Sequence, residues 1–467
     1  MSLYLLSILL YLAALGAVGY WRSRRVQTGD DFLVASRSLP ASVLVFTLLS
    51  TWIGSGSLFA GAGLGYRVGF AALWQSAGAW AGIGLVYFLA PRVRRLAQYT
   101  VPDILELRYG PPARVLGTIT IVLAYTTIAA YQFRGGGRLL NLAAGIDPRT
   151  GALVTAAFCI AYTAFAGMQS VAYLDVGNGV MMLLGVGVAM VYLIGHAGGF
   201  GPALGALRPD QLTLFGTLSP VQAVGLFLPT MFLLLGEANM YQKFFSARDE
   251  RAARLAVIGW IVGTIALETL IDSIGIFGSI VIPRLGVEQS EGIVVRVAVD
   301  VLPAIFGMLL LAGGAAIIVS TASSMLLTPS TNLIRDVYQR FINPRVTDRQ
   351  IVLYTRVLIV LLGAVGFFVG NFFPTILSMA LWAYTMYGAG ITPALLAALV
   401  WPGASARGGV ASISAGMLTT VAWEIAALQR GAYPLGVQTV YPALLLSIGT
   451  LVLVSRAFPP SDPSPAA

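Results

Sequence analysis

Between Gly313 and Ser324 the chain reads Gly-Gly-Ala-Ala-Ile-Ile-Val-Ser-Thr-Ala-Ser-Ser. On a helix, Ser320 and Ser324 lie four apart, and Ile317, Thr321 and Ser324 follow at four and three, so two or three hydroxyls share a face beside a glycine-rich patch. Hydroxyls joined by carbonyls from an unwound helix would make a neutral oxygen cage, which suits a small, hard, monovalent cation. The same hydroxyls can instead bond their own backbone four residues back. The cluster alone leaves both readings open.

Acidic residues inside apolar segments are rarer. Each costs roughly 2.5 to 3.5 kcal/mol at mid-helix unless it faces a cavity or a partner. The candidates are Asp175, Glu237, Glu268, Asp272 and Glu424. Glu237 follows Gly236 and could hold a cation, a proton or a cationic group of a solute, or pair with an arginine. Glu268 and Asp272 share a face at i and i+4, and Glu424 lies near a segment end. One cysteine, Cys159, and one histidine, His196, exclude a disulfide framework and multi-histidine metal sites, and they disfavour Ser/His/Asp hydrolysis. The chain does not read as an enzyme. The glycine strings Gly54–Gly65 and Arg134–Arg138 lack the strand and the Gly-Lys-Ser/Thr ending of a phosphate loop, so no nucleotide is expected. The second is read as a loop anchoring the external end of a span.

These groups must be positioned by elements that live in lipid. Of 467 residues 57% are hydrophobic and only 10% charged, and mean hydropathy is +0.83, against roughly 25% charged in a soluble domain. About thirteen apolar segments of bilayer length follow one another, near 2–20, 39–63, 67–90, 113–133, 148–168, 171–195, 219–243, 254–282, 303–330, 351–371, 374–400, 410–428 and 436–456. The runs are continuous, without the alternation of a barrel strand. Placing the loop after the first span in the cytoplasm collects twenty of the 28 basic residues inside, among them Arg22, Arg24, Arg25 and Arg37, and leaves eight outside. The N-terminus is then external and the C-terminus cytoplasmic, in the cell inner (plasma) membrane. Basic loops facing the anionic leaflet account for the net charge of +9 without nucleic acid. The proline-rich tail from Phe458 to Ala467 reads as a disordered end.

The second span carries Trp52-Ile53-Gly54-Ser55-Gly56-Ser57 near its middle, and the seventh carries Gly236-Glu237-Ala238-Asn239. Each opens a block of five spans. An odd number gives the two blocks opposite topology, and matched mid-helix breaks point to inverted repeats around a shared site. The divisions are 1–38 for an extra helix and loop, 39–196 for the first repeat, 197–218 for an external loop, 219–401 for the second repeat and 402–467 for two final helices and a tail.

Five strings resemble the sodium:solute symporter family: Asp31–Pro40, Ala60–Gly69, Tyr99–Gly110, Gln242–Arg248, and Ser320–Ser324 through Arg335-Asp336-Val337-Tyr338. The resemblance implies a LeuT-type, all-α fold with two inverted five-helix repeats, one helix before them and two after. It implies sodium-coupled symport of a small organic solute by alternating access. The sodium site would take the carbonyls of Ser50, Ile53 and Ile317 and the hydroxyls of Ser320 and Thr321, with Asp175 on the ion's exit path. Substrate positions fall at Trp52, Ser57, Gln75, Ser76, Glu237 and Thr385. Where sugar-transporting relatives carry sugar-binding side chains, this chain has Ser57, Ser76 and Ala79, which disfavours a sugar. The alternatives are proton coupling through Glu237, Glu268 or Asp272, a non-transporting membrane sensor, and, more weakly, a channel.

Overall fold

The computed structural model describes residues 2–23, 38–96 and 100–460. The expected motif residues Asp31–Arg37, the loop arginines Arg24 and Arg25 and the end of the tail lie outside the described residues, as does the side chain of Arg22. Among the described residues the chain is helical, and its only β pairing is one bridge.

The principal helices are α1 (Leu3–Ser23), α2 (Ala41–Trp52), α3 (Ala62–Val68), α4 (Leu73–Leu96), α5 (Val101–Tyr109), α6 (Pro111–Ala144), α7 (Pro148–His196), α8 (Pro220–Gly236), α9 (Ala238–Phe245), α10 (Glu250–Val281), α11 (Ala304–Asn332), α12 (Asp348–Val369), α13 (Ile376–Gly390), α14 (Thr392–Val400), α15 (Ala406–Arg430) and α16 (Val440–Ala457). Nine helical stretches of the described residues are long and apolar enough to span a bilayer, and a tenth forms if the pair Ala41–Trp52 and Gly56–Leu96, bent by 53°, counts as one. The shorter apolar run Leu3–Gly19 lies in α1, where the first span is expected. The expected fifth and sixth spans run together in α7, whose 49 residues cover both.

Helix ends follow local chemistry. Thr100, Ser219, Thr347 and Thr375 each cap a helix through the backbone N–H three residues on, satisfying donors that would otherwise be orphaned. Between α3 and α4 the chain turns at Gly69, with φ of +69°, and a Cβ there would sit 2.3 Å from the Gln211 carbonyl oxygen. Only glycine fits that turn.

One location differs from expectation. Arg134–Arg138 is helix, not loop, because α6 continues to Ala144 before Gly145 ends it in the left-handed conformation. Its three glycines let Ser55, Thr155 and the Pro148 carbonyl approach the helix closely. His196 is the last residue of α7, stacked on Tyr192 with ring centroids 6.3 Å apart.

The two broken spans cross the molecule in opposite directions. Leu39, at the start of α2, pairs with Ala247, just past the end of α9. Its N–H donates to the Ser246 carbonyl over 3.0 Å, and its carbonyl accepts from the Arg248 N–H over 3.0 Å. A strand-like stitch therefore joins the entrance of one broken span to the exit of the other, as inverted repeats require. Helix α11 runs through the centre of the bundle, buried at every residue from Leu310 to Asn332, and packs chiefly on α7 and α6. By contrast α12 presents Leu353, Leu361 and Phe368 outward, a lipid-facing surface.

Candidate functional site

Helix α2 stops at Trp52 because Ile53 leaves helical geometry, with ψ of 107°, and a π-helical turn, Gly56–Gly61, follows Ser55. Helix α8 stops at Gly236 where Glu237 turns to ψ of 119°, and α9 restarts at Ala238. A helix that ends inside a bundle leaves its last carbonyls and the next segment's first N–H groups without intrahelical partners. Helix α6 serves both breaks from one face. Gln132 Oε1 accepts from the Ser55 N–H at 2.7 Å, and two turns earlier the Tyr125 hydroxyl accepts from the Asn239 N–H at 3.2 Å. Gly54 leaves room for this contact, since a Cβ there would lie 2.7 Å from Gln132 Nε2 and displace it.

The freed carbonyls of α2 face α11. Thr321 Oγ1 lies 3.3 Å from the Ser50 carbonyl oxygen and 3.1 Å from that of Ile53, donating toward both. Ile317, one turn earlier on α11, is buried beside them. Ser320 Oγ donates to Asp175 Oδ1 at 2.5 Å, Thr47 Oγ1 donates to Asp175 Oδ2 at 2.6 Å, and Ser50 Oγ donates to the Asp175 carbonyl at 2.9 Å. Of the expected cage residues Ser50, Ile53 and Thr321 therefore meet, Ser320 is tied to Asp175, and Ile317 lies one turn away on α11. Two neutral carbonyls and a hydroxyl with lone pairs to spare fit a desolvated sodium ion, and the adjacent carboxylate adds negative potential.

Sequence reasoning left out several neighbours. Thr47 and Thr51 lie with Ser50 on one face of α2, and the hydroxyl periodicity used for α11 would have found them. Lys243 gives no such signal. Its side chain is fully buried, and its ammonium donates to the Thr47 carbonyl at 2.8 Å and to the Thr51 hydroxyl, which lies 3.1 Å from Ser324 Oγ. It is the cation acting on both Asp175 and Glu237. The Tyr125 hydroxyl, which accepts from the Asn239 N–H, belongs to the same break as Glu237.

Around the breaks the positions expected for substrate divide. Trp52 donates from its indole N–H to Glu268 Oε1 at 2.8 Å and packs at a tilt against Tyr384, with ring centroids 5.9 Å apart. Ser76 Oγ donates to Asp272 Oδ2 at 2.8 Å, and Trp80 donates to Glu268 Oε2 at 2.9 Å. Ser57 is half-buried in the π turn. Gln75 is buried with Oε1 unpartnered. Thr385 is not brought to this group. It lines a small cleft with Glu424, Tyr433 and Gln438 beside α15 and α16, while Tyr384, about 100° around the helix, faces Gly56 and bonds the Tyr131 hydroxyl at 3.2 Å. Glu424 accepts from Thr439 in that cleft.

Buried and unpartnered, Ser55 Oγ, Gln132 Nε2 and both amide atoms of Asn239 lie at the two breaks. Buried polar atoms of this kind are uncommon and mark places where a solute or water completes the bonding.

Residues 32–416 match the description "Sodium:solute symporter family". The chain belongs to this family. Among curated relatives, the symporter is 28% identical to the sodium/pantothenate symporter of Escherichia coli (strain K12), covering 97% of this chain and 96% of that protein. It is 24% identical to the osmoregulated proline transporter OpuE of Bacillus subtilis (strain 168), covering 97% and 94%. Among solved structures, a substrate-bound, outward-open Na+-coupled sialic acid symporter superposes with a TM-score of 0.80 at 17% identity over 97% of each chain. Mhp1, a nucleobase-cation-symport-1 family transporter, gives 0.61 at 13% identity over 91% of this chain and 95% of that one. The fold is that of the LeuT-type transporters, and the chain is a multi-pass membrane symporter coupled to sodium.

Proposed function

We propose that this symporter imports a small carboxylate-bearing solute together with sodium, with its N-terminus outside and its C-terminus in the cytoplasm. The observation that carries the ion site is the Thr321 hydroxyl placed on the freed carbonyls of Ser50 and Ile53. Ile317 and Ser320 complete the oxygen set, and Asp175 receives the ion as it leaves toward the cytoplasm. The solute sits between the breaks, against Trp52, Ser57, Gln75 and Ser76, with the unpartnered groups of Gln132 and Asn239 as its polar contacts. Glu237 borders this space, and the buried Lys243 contributes positive charge from within the fold. The solute class is supported by the relatives, whose named solutes, pantothenate and proline, both carry a carboxylate.

Sodium holds the substrate-competent arrangement by drawing α2 onto α11. Its release lets the two separate, which opens the site to the other side. The test is uptake of labelled pantothenate and of labelled proline into proteoliposomes under an inward sodium gradient, with potassium as control. Accumulation of at least one in sodium alone is expected. Equal rates in potassium, or uptake driven by a proton gradient without sodium, would reject the reading. The second outcome would favour proton coupling through Glu268 and Asp272, a buried carboxylate pair with no salt bridge to a basic side chain among the described residues.

A further inference from the structure

Most basic residues of this chain fall inside by the topology above, which makes the eight exceptions informative. Four of them, Arg134, Arg138, Arg149 and Arg296, line a single cavity of about 480 Å³. It lies between α6, the start of α7, the short helical turns over 287–301 and the end of α12. Only one acid lines it, Glu288, whose side chain is 67% exposed and is shared between Arg138 at 3.1 Å and Arg134 at 3.6 Å.

The other bonds of these arginines show which charge is spare. Arg134 donates to the carbonyls of Phe373 and Pro374, at 2.6 Å each, and so is committed to holding the loop before α13. Arg138 also bonds Glu291 at 2.9 Å, and that buried carboxylate caps α13 through the N–H groups of Ile376 and Leu377. Arg149 and Arg296 have no acid within 4.0 Å among the described residues, and Arg296 Nε is buried with no partner. Two guanidinium groups are thus left over at the rim of a cavity whose walls include Phe133 and Phe373.

Guanidinium groups recognise carboxylates through paired N–H donors. The volume lies within the range of small-molecule sites and far exceeds a single inorganic ion. Aromatic walls beside spare positive charge suit a molecule with an apolar body and one carboxylate. We propose that this cavity is an outer binding site for a small organic carboxylate, occupied before the solute reaches the helix breaks. The inference rests on the proposed orientation, which puts this end outside, and on the symport reading. Spare positive potential at the mouth also raises the capture rate of an anion.

The test measures binding to the purified full chain in sodium-free choline chloride, using pantothenate and its neutral alcohol analogue, panthenol. Pantothenate is expected to bind, and panthenol to bind about ten-fold more weakly or worse. R149Q/R296Q should lose about ten-fold in pantothenate affinity and raise the half-saturating concentration for uptake without changing maximal rate. R149K/R296K keeps both charges and should restore most of the binding, which separates lost charge from a damaged fold. Equal binding of the two compounds, absent binding, or unchanged affinity in R149Q/R296Q would overturn the proposal. If sodium-free binding tracks the arginines while uptake ignores sodium, the cavity stands and the symport reading falls.

Discussion

Ser320 donates its hydroxyl to Asp175 over 2.5 Å, a contact between residues 145 positions apart that joins α11 to α7 directly behind the oxygen cage. In the proposed ion site Asp175 would act through the orientation of Ser320 as well as through its charge. Ser320 is tied to the carboxylate, while Thr321 is the hydroxyl that touches the carbonyls of α2.

Removing both hydroxyls, in S320A/T321A, takes two oxygens from the cage. The sodium concentration for half-maximal transport should rise about ten-fold or more, since each lost ligand to a charged group is worth more than 1 kcal/mol. Sodium titration of uptake in proteoliposomes reads this, and a wild-type sodium dependence would reject the site assignment.

Asp175→Asn preserves the shape but removes the charge and sets an amide NH2 in place of one of the two oxygens to which the Thr47 and Ser320 hydroxyls donate. Turnover should fall while equilibrium solute affinity in saturating sodium stays nearly intact. A large loss of that affinity would show that Asp175 acts on the solute site instead.

Lys243 is a buried cation beside the proposed ion site, held by α2 oxygens with Asp175 and Glu237 as its charged neighbours. K243M leaves those carboxylates without it, so thermal stability should drop. Adding D175N should recover part of the loss, with a coupling of about 1 kcal/mol or more. Strictly additive melting shifts in the two single variants and the double would mean that Lys243 serves packing alone.

A cluster at the opposite end from the arginine cavity sets an acid limit. Arg114 Nη2 bonds Asp336 at 2.8 Å and Asp103 at 2.5 Å, and Arg114 also bonds Glu106, which accepts from Arg340 at 2.8 and 3.0 Å. Burial of Glu106 on α5 would raise its pKa, but the bonds and charges of Arg114 and Arg340 outweigh burial and hold it below the usual glutamate range. A group depressed in the folded state contributes stability above its unfolded value and loses it as pH falls through the folded one. Melting temperature should therefore decline below about pH 4.3, and E106Q should flatten part of that decline. An identical slope in the variant would remove Glu106 from the account.

Much of the architecture was legible in the order of residues, because bilayer crossing depends on local properties. Continuous apolar runs, glycines at mid-span and hydroxyls at helical spacing placed the spans, both breaks and the face of Ile317, Ser320 and Thr321. What tertiary structure decided are the encounters between distant segments. Nothing near Lys243 in sequence indicates that its ammonium ends beside Thr47 and Thr51, and nothing near Asp175 points to Ser320. Tyr384 and Thr385 are adjacent and about 100° apart on one helix, so only packing could choose that Tyr384 faces the break and Thr385 the final helices. Arg134 and Arg138 read as a loop because three glycines lie between them. The neighbours that press on those glycines, Ser55, Thr155 and Pro148, come from either side in sequence and explain why a helix there needs them. Gathering four arginines around one cavity is the same kind of fact. Periodicity is written in neighbouring residues, whereas contact is written in the way helices pack.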